Sequence, residues 1–171
     1  VAEYGTLADF GHSGTRELTA EDYVYEIKRL VHPHLHSPVA GLMGKYIEGL
    51  SALGEQLRKS EAGNHGFVDL RKYDFEGAQV IDRYTFEIRI TEKYPQFRYW
   101  LAMSFFAPVP WEADSFYAQP GMKERNFTLD WYPVGTGPYM LTENNPNRRM
   151  VLERNPNFRG EPYPESGTAG D

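Results

Sequence analysis

The stretch PVGTGPYMLTENNPNRRMVLERNP, residues 133–156, decides the fold. Its first seven residues set Gly135 and Gly137 around Thr136, between Pro133 and Pro138. A phosphate-cradling loop needs Gly-x-x-x-x-Gly-Lys-Ser/Thr running into a helix, so that backbone N–H groups and the lysine reach the phosphates. No lysine follows Gly137, Pro138 removes an N–H, and the residues after it have strand character. A dinucleotide loop needs a third glycine at position 140, where Met stands. The glycines therefore read as a backbone device that turns the chain sharply into a strand. That reading predicts a positive φ at Gly135 or Gly137. Residues 137–143 and 148–155 then form two strands, joined by the turn-type loop NNPN.

Working outward, LTAEDYVYEIKRLVHP places Thr19 as an N-cap with Asp22 three residues on, an acidic variant of the capping box. Ala20, Tyr23, Val24, Ile27, Leu30 and Val31 recur at helical spacing, and Pro33 stops the run, which predicts a helix over 20–31. Ile47, Leu50, Leu53 and Leu57 stripe a second helix over 45–62, against the cost of Gly49 and Gly54 in its interior. Tyr84, Phe86, Ile88 and Ile90 alternate with polar residues, as in a half-buried strand, and AQVID before them fits a partner strand. Pro95 opens a third helix over 95–105, and PWEADSFYAQPG reads as a short helix closed by Pro120-Gly121. Helices and strands are grouped rather than alternating, which argues for α+β.

Composition sets bounds on function. The 171 residues suffice for one domain with a real core. A net charge of −6 opposes non-specific nucleic-acid binding, which needs Lys and Arg against phosphates. With 0 Cys there is no disulfide, thiolate nucleophile or thiolate metal site. No run approaches the ~20 apolar residues of a membrane span. The sequence starts at Val1 with neither an initiator Met nor a signal-like segment, so it reads as a processed or excised piece.

Candidate chemistry is sparse. His32, His34 and His36 in HPHLH would share one side of an extended chain and could bind zinc, copper or nickel. Pro33 distorts that geometry, and no carboxylate follows within ten residues, so a solvated helix-exit loop is favoured over a metal site. Glu21 and Asp22 are adjacent, so on a helix they diverge. They serve the macrodipole rather than acid–base catalysis. No nucleophile–base spacing is present, and the sequence predicts no catalytic residue and no cofactor. The aromatic side chains between Tyr94 and Tyr117 are expected to fill the core, with an exposed aromatic interaction surface as the alternative.

Three ordered blocks, RELTAEDYVYEIKRL, GAQVIDRYTFEIRITEKYPQFRYWLA and PVGTGPYMLTENNPNRRMVLERNPNFRG, resemble the family 5 extracellular solute-binding proteins, the receptors of bacterial ABC importers for peptides, nickel and oligosaccharides. Tyr23 stands where the family usually has Val. The resemblance covers about residues 16–160. It implies an N-terminal-lobe subdomain of a periplasmic-binding-protein-like fold (type II, cluster C), with the three helices on a small, mostly antiparallel sheet. Residues 1–161 would form a single α+β domain and 162–171 a flexible tail. The implied function is non-catalytic capture of a peptide-like solute for an ABC permease, in the periplasm or outside the cell, with or without a lipid anchor. The second lobe of the parent receptor would lie outside this chain, along with much of the solute contact. Tyr132, Gly135 and Thr136 are the candidate solute contacts. A free-standing interaction module, or a metal module built on His32, His34 and His36, are the alternative functions.

Overall fold

The computed structural model describes residues 16–60 and 66–161. The segment expected to be a flexible tail lies outside the described residues.

Thr19 is the N-cap of helix α1 (Ala20–Arg29), and its backbone N–H donates to Asp22 Oδ2 at 2.9 Å. This is the reciprocal half of the capping box that the sequence predicts. The helix ends at Arg29, two residues early, with Leu30 as C-cap. Val24, Ile27, Leu30 and Val31 bury their side chains in the main core. Tyr23 stacks on Phe86 with ring centroids 5.1 Å apart, which fastens the helix to the first strand pair.

The helix expected over 45–62 is two helices, α2 (Ala40–Tyr46) and α3 (Leu50–Ser60). Between them Ile47 is extended and bridges antiparallel to Ile90. Glu48 N–H donates to Arg89 O at 3.0 Å, and Thr91 N–H donates to Tyr46 O at 2.8 Å. Gly49, at φ +74°, then turns the chain into α3. The stripe of Ile47, Leu50, Leu53 and Leu57 is buried as expected. Its first residue, however, is held by sheet-like pairing that local sequence does not encode.

Strands β1 (Ala78–Asp82) and β2 (Thr85–Ile88) form an antiparallel hairpin. The predicted helix over 95–105 is reduced to one turn, α4 (Phe97–Trp100), followed by a 3-10 turn at Ser104–Phe106. Phe97, Trp100, Leu101 and Phe105 keep helical spacing, but the run is apolar almost throughout and so does not single out one face. Phe97 and Phe106 are buried, whereas Tyr99, Leu101 and Met103 face outward. Helix α5 (Trp111–Tyr117) forms where the sequence places it. Strands β3 (Tyr139–Asn145) and β4 (Arg149–Arg154) make a second antiparallel hairpin.

The architecture is α+β. In place of one small sheet there are two separate two-stranded ribbons. The core lies between α1, α2, α3 and the β1–β2 ribbon, with Ile27, Met43, Ile47, Leu50, Leu57 and Leu70 almost wholly removed from solvent. Among the described residues, no helix is long and apolar enough to cross a membrane.

Candidate functional site

The glycine motif and the Asn-Pro that ends the opening stretch meet in space. Asn155 follows β4, and its backbone N–H donates to Pro138 O at 2.8 Å. Its side-chain Nδ2 donates to Gly137 O at 2.9 Å, and its Oδ1 accepts from Asn157 N–H at 2.9 Å. Asn155 is buried, so these bonds are shielded from water. One side chain thus pins the bend that leads into β3 to the residue leaving β4. Sequence reasoning missed this role. The available signal was an Asn directly ahead of Pro156, a residue pair that favours turn chemistry.

The bend needs no left-handed residue. Among the described glycines only Gly49, Gly121 and Gly160 have positive φ, so the expectation for Gly135 or Gly137 is wrong. The chain turns through successive bends whose carbonyls are held by Asn155 rather than through a single αL residue. A Cβ at either glycine would meet nothing within 4 Å. The motif runs directly into a strand, which bears out its rejection as a phosphate loop.

The three candidate contacts lie on this segment. Tyr132 is half-buried, whereas Gly135 and Thr136 are exposed. The Tyr132 carbonyl accepts from Tyr117 OH at 2.7 Å, and its ring lies 5.8 Å from that of Phe127. Asn144 Nδ2 donates to Trp131 O at 2.7 Å. The segment is therefore anchored from α5 on one side and from β3 on the other. Thr128 Oγ1, four residues before Tyr132, is buried with no hydrogen-bond partner.

Helix α5 is itself locked to α1 by two arginines. Arg16 reaches Asp22 through Nη2 at 2.5 Å and Glu112 through Nε at 2.7 Å. Arg29 reaches Glu26 through Nη1 at 2.8 Å and Asp114 through Nε at 2.7 Å. Tyr25 OH donates to the same Asp114 oxygen at 3.0 Å. Burial, with the nearby Asp114 charge adding to it, pushes the Glu26 carboxyl up to about 7 despite its pairing with Arg29. Burial and the Asp114 carboxylate likewise raise the Tyr25 phenol. The sequence pattern assigns Asp22 to the macrodipole. In the structure it caps α1, as the capping box predicts, and its buried carboxylate also pairs with Arg16.

Of the three histidines, His32 accepts the His34 backbone N–H at its own Nδ1, at 3.2 Å, and the two rings are 5.6 Å apart. His36 adopts a left-handed conformation at φ 49°. Among the described residues no group of three His, Cys, Asp or Glu is placed to hold a metal, and His32, His34 and His36 do not form one. Most of the aromatic cluster lies in the core or against it. Phe97 and Phe106 are buried, and Tyr94, Trp100, Phe105 and Trp111 pack on them and their neighbours, with Tyr99 the outward exception. That arrangement accords with the core-filling expectation for most of the cluster, while Phe116 and Tyr117 on α5 are half-buried.

With this geometry in place, the comparisons with known proteins are specific. Residues 12–168 match the family described as bacterial extracellular solute-binding proteins, family 5 Middle, and the chain belongs to it. Among curated relatives, the periplasmic oligopeptide-binding protein OppA of Escherichia coli (strain K12) is 30% identical over 142 residues, covering 82% of this chain and 23% of OppA. The peptide transport periplasmic protein SapA of Salmonella typhimurium is 28% identical over 150 residues, covering 86% of this chain and 23% of SapA. The fold is also similar to that of the pheromone receptor PrgZ, solved with its mode of peptide binding. The TM-score is 0.56 at 19% identity, over 84% of this chain and 25% of PrgZ. The chain thus spans about a quarter of each of these proteins.

Proposed function

We propose that this chain is part of a receptor that captures a peptide-like solute between two lobes and delivers it to an ABC importer, without catalysis. One observation carries the reading: more than four-fifths of the chain corresponds to proteins named for peptide binding or peptide transport. The geometry supports it. The glycine motif is held rigidly by Asn155, yet the space outside Gly135 and Gly137 is open. A bend that is fixed from behind and bare in front suits close approach by another backbone. The β3–β4 ribbon is similarly uncovered, with Tyr139 64% and Leu152 63% exposed, as expected of a surface that packs on other parts of a larger receptor. Tyr132, Gly135 and Thr136 are the proposed contacts on this side of the cleft. The proposed place of action is the periplasm or the cell exterior, with or without a lipid anchor.

The parent protein, purified and titrated with a mixed di- to pentapeptide library by calorimetry, should bind peptide, and lobe closure should register as compaction in solution scattering. The isolated chain should bind the same peptides far more weakly, because one wall of a cleft cannot desolvate a ligand. A parent protein that ignores peptides would overturn the peptide assignment. Equal peptide affinity in the isolated chain would overturn the two-lobe reading.

A further inference from the structure

Glu21, Val24, Tyr25 and Lys28 lie at i, i+3, i+4 and i+7 and so share one face of α1. That face, with Asp22, borders a half-open cleft of about 220 Å³ whose other walls are Arg71, Val80 and Trp111. The cleft is independent of the glycine motif and contains none of Tyr132, Gly135 or Thr136.

The charged groups around it are unequally engaged. Both Asp22 oxygens are taken, by Arg16 and by the Thr19 N–H. Tyr25 OH is committed to Asp114. Lys28 is different. It is only 7% exposed, and its ammonium makes one long hydrogen bond, 3.4 Å to Leu70 O. An ammonium has three donors, and leaving them unused in a buried place is costly. The Asp69 and Asp74 carboxylates act on it only through space, and burial lowers its affinity for a proton. Arg71 spends Nε and Nη2 on Asp69, at 2.8 and 3.0 Å, while its guanidinium lies 3.5 Å over the Trp111 ring. Its Nη1 has no acceptor among the described residues. Glu21 sits exposed at the rim with its carboxylate unpaired.

We propose that this cleft binds an amino-acid-sized zwitterion with an apolar side chain, its carboxylate held by Lys28 and Arg71 and its ammonium by Glu21 at the rim. The donors supply charge-assisted hydrogen bonds to a carboxylate, and the arginine edge gives them direction. Val24 and Val80 offer the apolar wall, beside Trp111, one face of which Arg71 covers. A volume below the roughly 300 Å³ at which drug-sized pockets begin limits the ligand to a small molecule. A net-neutral ligand also suits surroundings where Asp69, Asp74 and the α1–α5 carboxylates offset the two cations. This site goes beyond the receptor reading and stands without it.

The test is an NMR titration of the ¹⁵N-labelled 171-residue chain with L-leucine and, separately, L-leucinamide, which lacks the carboxylate. Leucine should shift the amides of α1 and of residues 69–72 and the Trp111 indole N–H, and leucinamide should not. Lys28→Met keeps the stem and removes the charge, and should weaken leucine binding roughly tenfold or more. Arg71→Gln, at a more exposed position, should weaken it in the same direction and keeps the test decisive if Lys28→Met does not fold. Equal shifts from leucinamide, unchanged affinity in either variant, or no shift up to about 10 mM leucine, a free energy of under 3 kcal/mol, would overturn the proposal.

Discussion

Two glycine-containing bends divide this molecule into regions of opposite character. At Gly77 an added Cβ would lie 1.9 Å from Glu48 O, 2.7 Å from the Phe75 ring and 2.9 Å from Ile47 Cγ2. At Gly135 and Gly137 it would meet nothing within 4 Å. The first bend is filled by the chain's own core, where the extended link between α2 and α3 pairs with the β2 end. The second is equally well defined by hydrogen bonds but faces outward. The same contrast separates α1, held by buried side chains and two arginine clamps, from the β3–β4 ribbon, whose apolar side chains stay in contact with solvent. A glycine can be required by what is already present, or it can leave room for what arrives.

The comparison breaks most visibly at the clamp. Arg29→Ala leaves Glu26 and Asp114 without their shared cation in a place of little water. Loss of about 3–5 kcal/mol is expected in urea unfolding near pH 8. A loss under 1 kcal/mol would mean that the packed half does not depend on the clamp. Next is Gly77→Ala, whose clash with Glu48 O is with backbone and cannot be relieved by a rotamer change. We expect about 3 kcal/mol of destabilisation, read from the denaturation midpoint.

Glu26 sharpens the contrast through pH. Its folded value of about 7 exceeds its ordinary value of 4.5, so between these the folded chain holds more protons than the unfolded one. The stability this group contributes is therefore full below about pH 4.5 and is lost as pH rises through 7, by about 3 kcal/mol. Asp69, held low chiefly by its hydrogen bonds from Arg71, acts in the opposite sense, and only as pH falls below the ordinary aspartate range. Glu26→Gln should flatten the stability profile between pH 5 and 8, and an unchanged slope would assign the dependence elsewhere. Smallest of all, Gly135→Ala and Gly137→Ala should each shift stability by under about 0.5 kcal/mol, since neither position has a positive φ or a close neighbour. If they nonetheless abolish solute binding by the parent receptor, the open side of the motif is where the solute or the opposing lobe approaches.

Legibility in the sequence depended on which forces were local. The α1 stripe, the Thr19–Asp22 cap, the β1–β2 hairpin and the final hairpin depend on spacing and turn chemistry within about a dozen residues, and the structure contains them, although the predicted alternation holds only at Phe86 and Ile88: Tyr84 and Ile90 lie outside β2 and are exposed. The break at Ile47 was not legible because it depends on Ile90, more than forty positions away. The α4 shortfall was hidden by an almost continuous apolar run, in which a helical set (Phe97, Trp100, Leu101, Phe105) coexists with the alternation the structure adopts: Tyr99, Leu101 and Met103 face outward. At the candidate site the motif was visible, but its fastening was not. Asn155 acts through Gly137 and Pro138, and nothing in the motif announces that its carbonyls are claimed from beyond the hairpin. The conformational role assigned to the two glycines failed for the same reason, since a bend pinned by hydrogen bonds needs no left-handed residue.

The arginine clamps also bear on time as well as on free energy. Arg16 and Glu112 are 96 positions apart, and Arg29 and Asp114 are 85 apart, whereas α1 and the β1–β2 hairpin close over short loops. Contacts joining such distant segments follow the closure of a long loop and form late in folding. Their loss is then expected mainly in the unfolding arm of a chevron plot, with the refolding arm nearly unchanged for Asp114→Ala. A refolding arm that slowed in step with the lost stability would place the clamp in the folding nucleus instead. The paired arginines thus serve as a brake on opening, setting how long a folded molecule lasts rather than how quickly it is made.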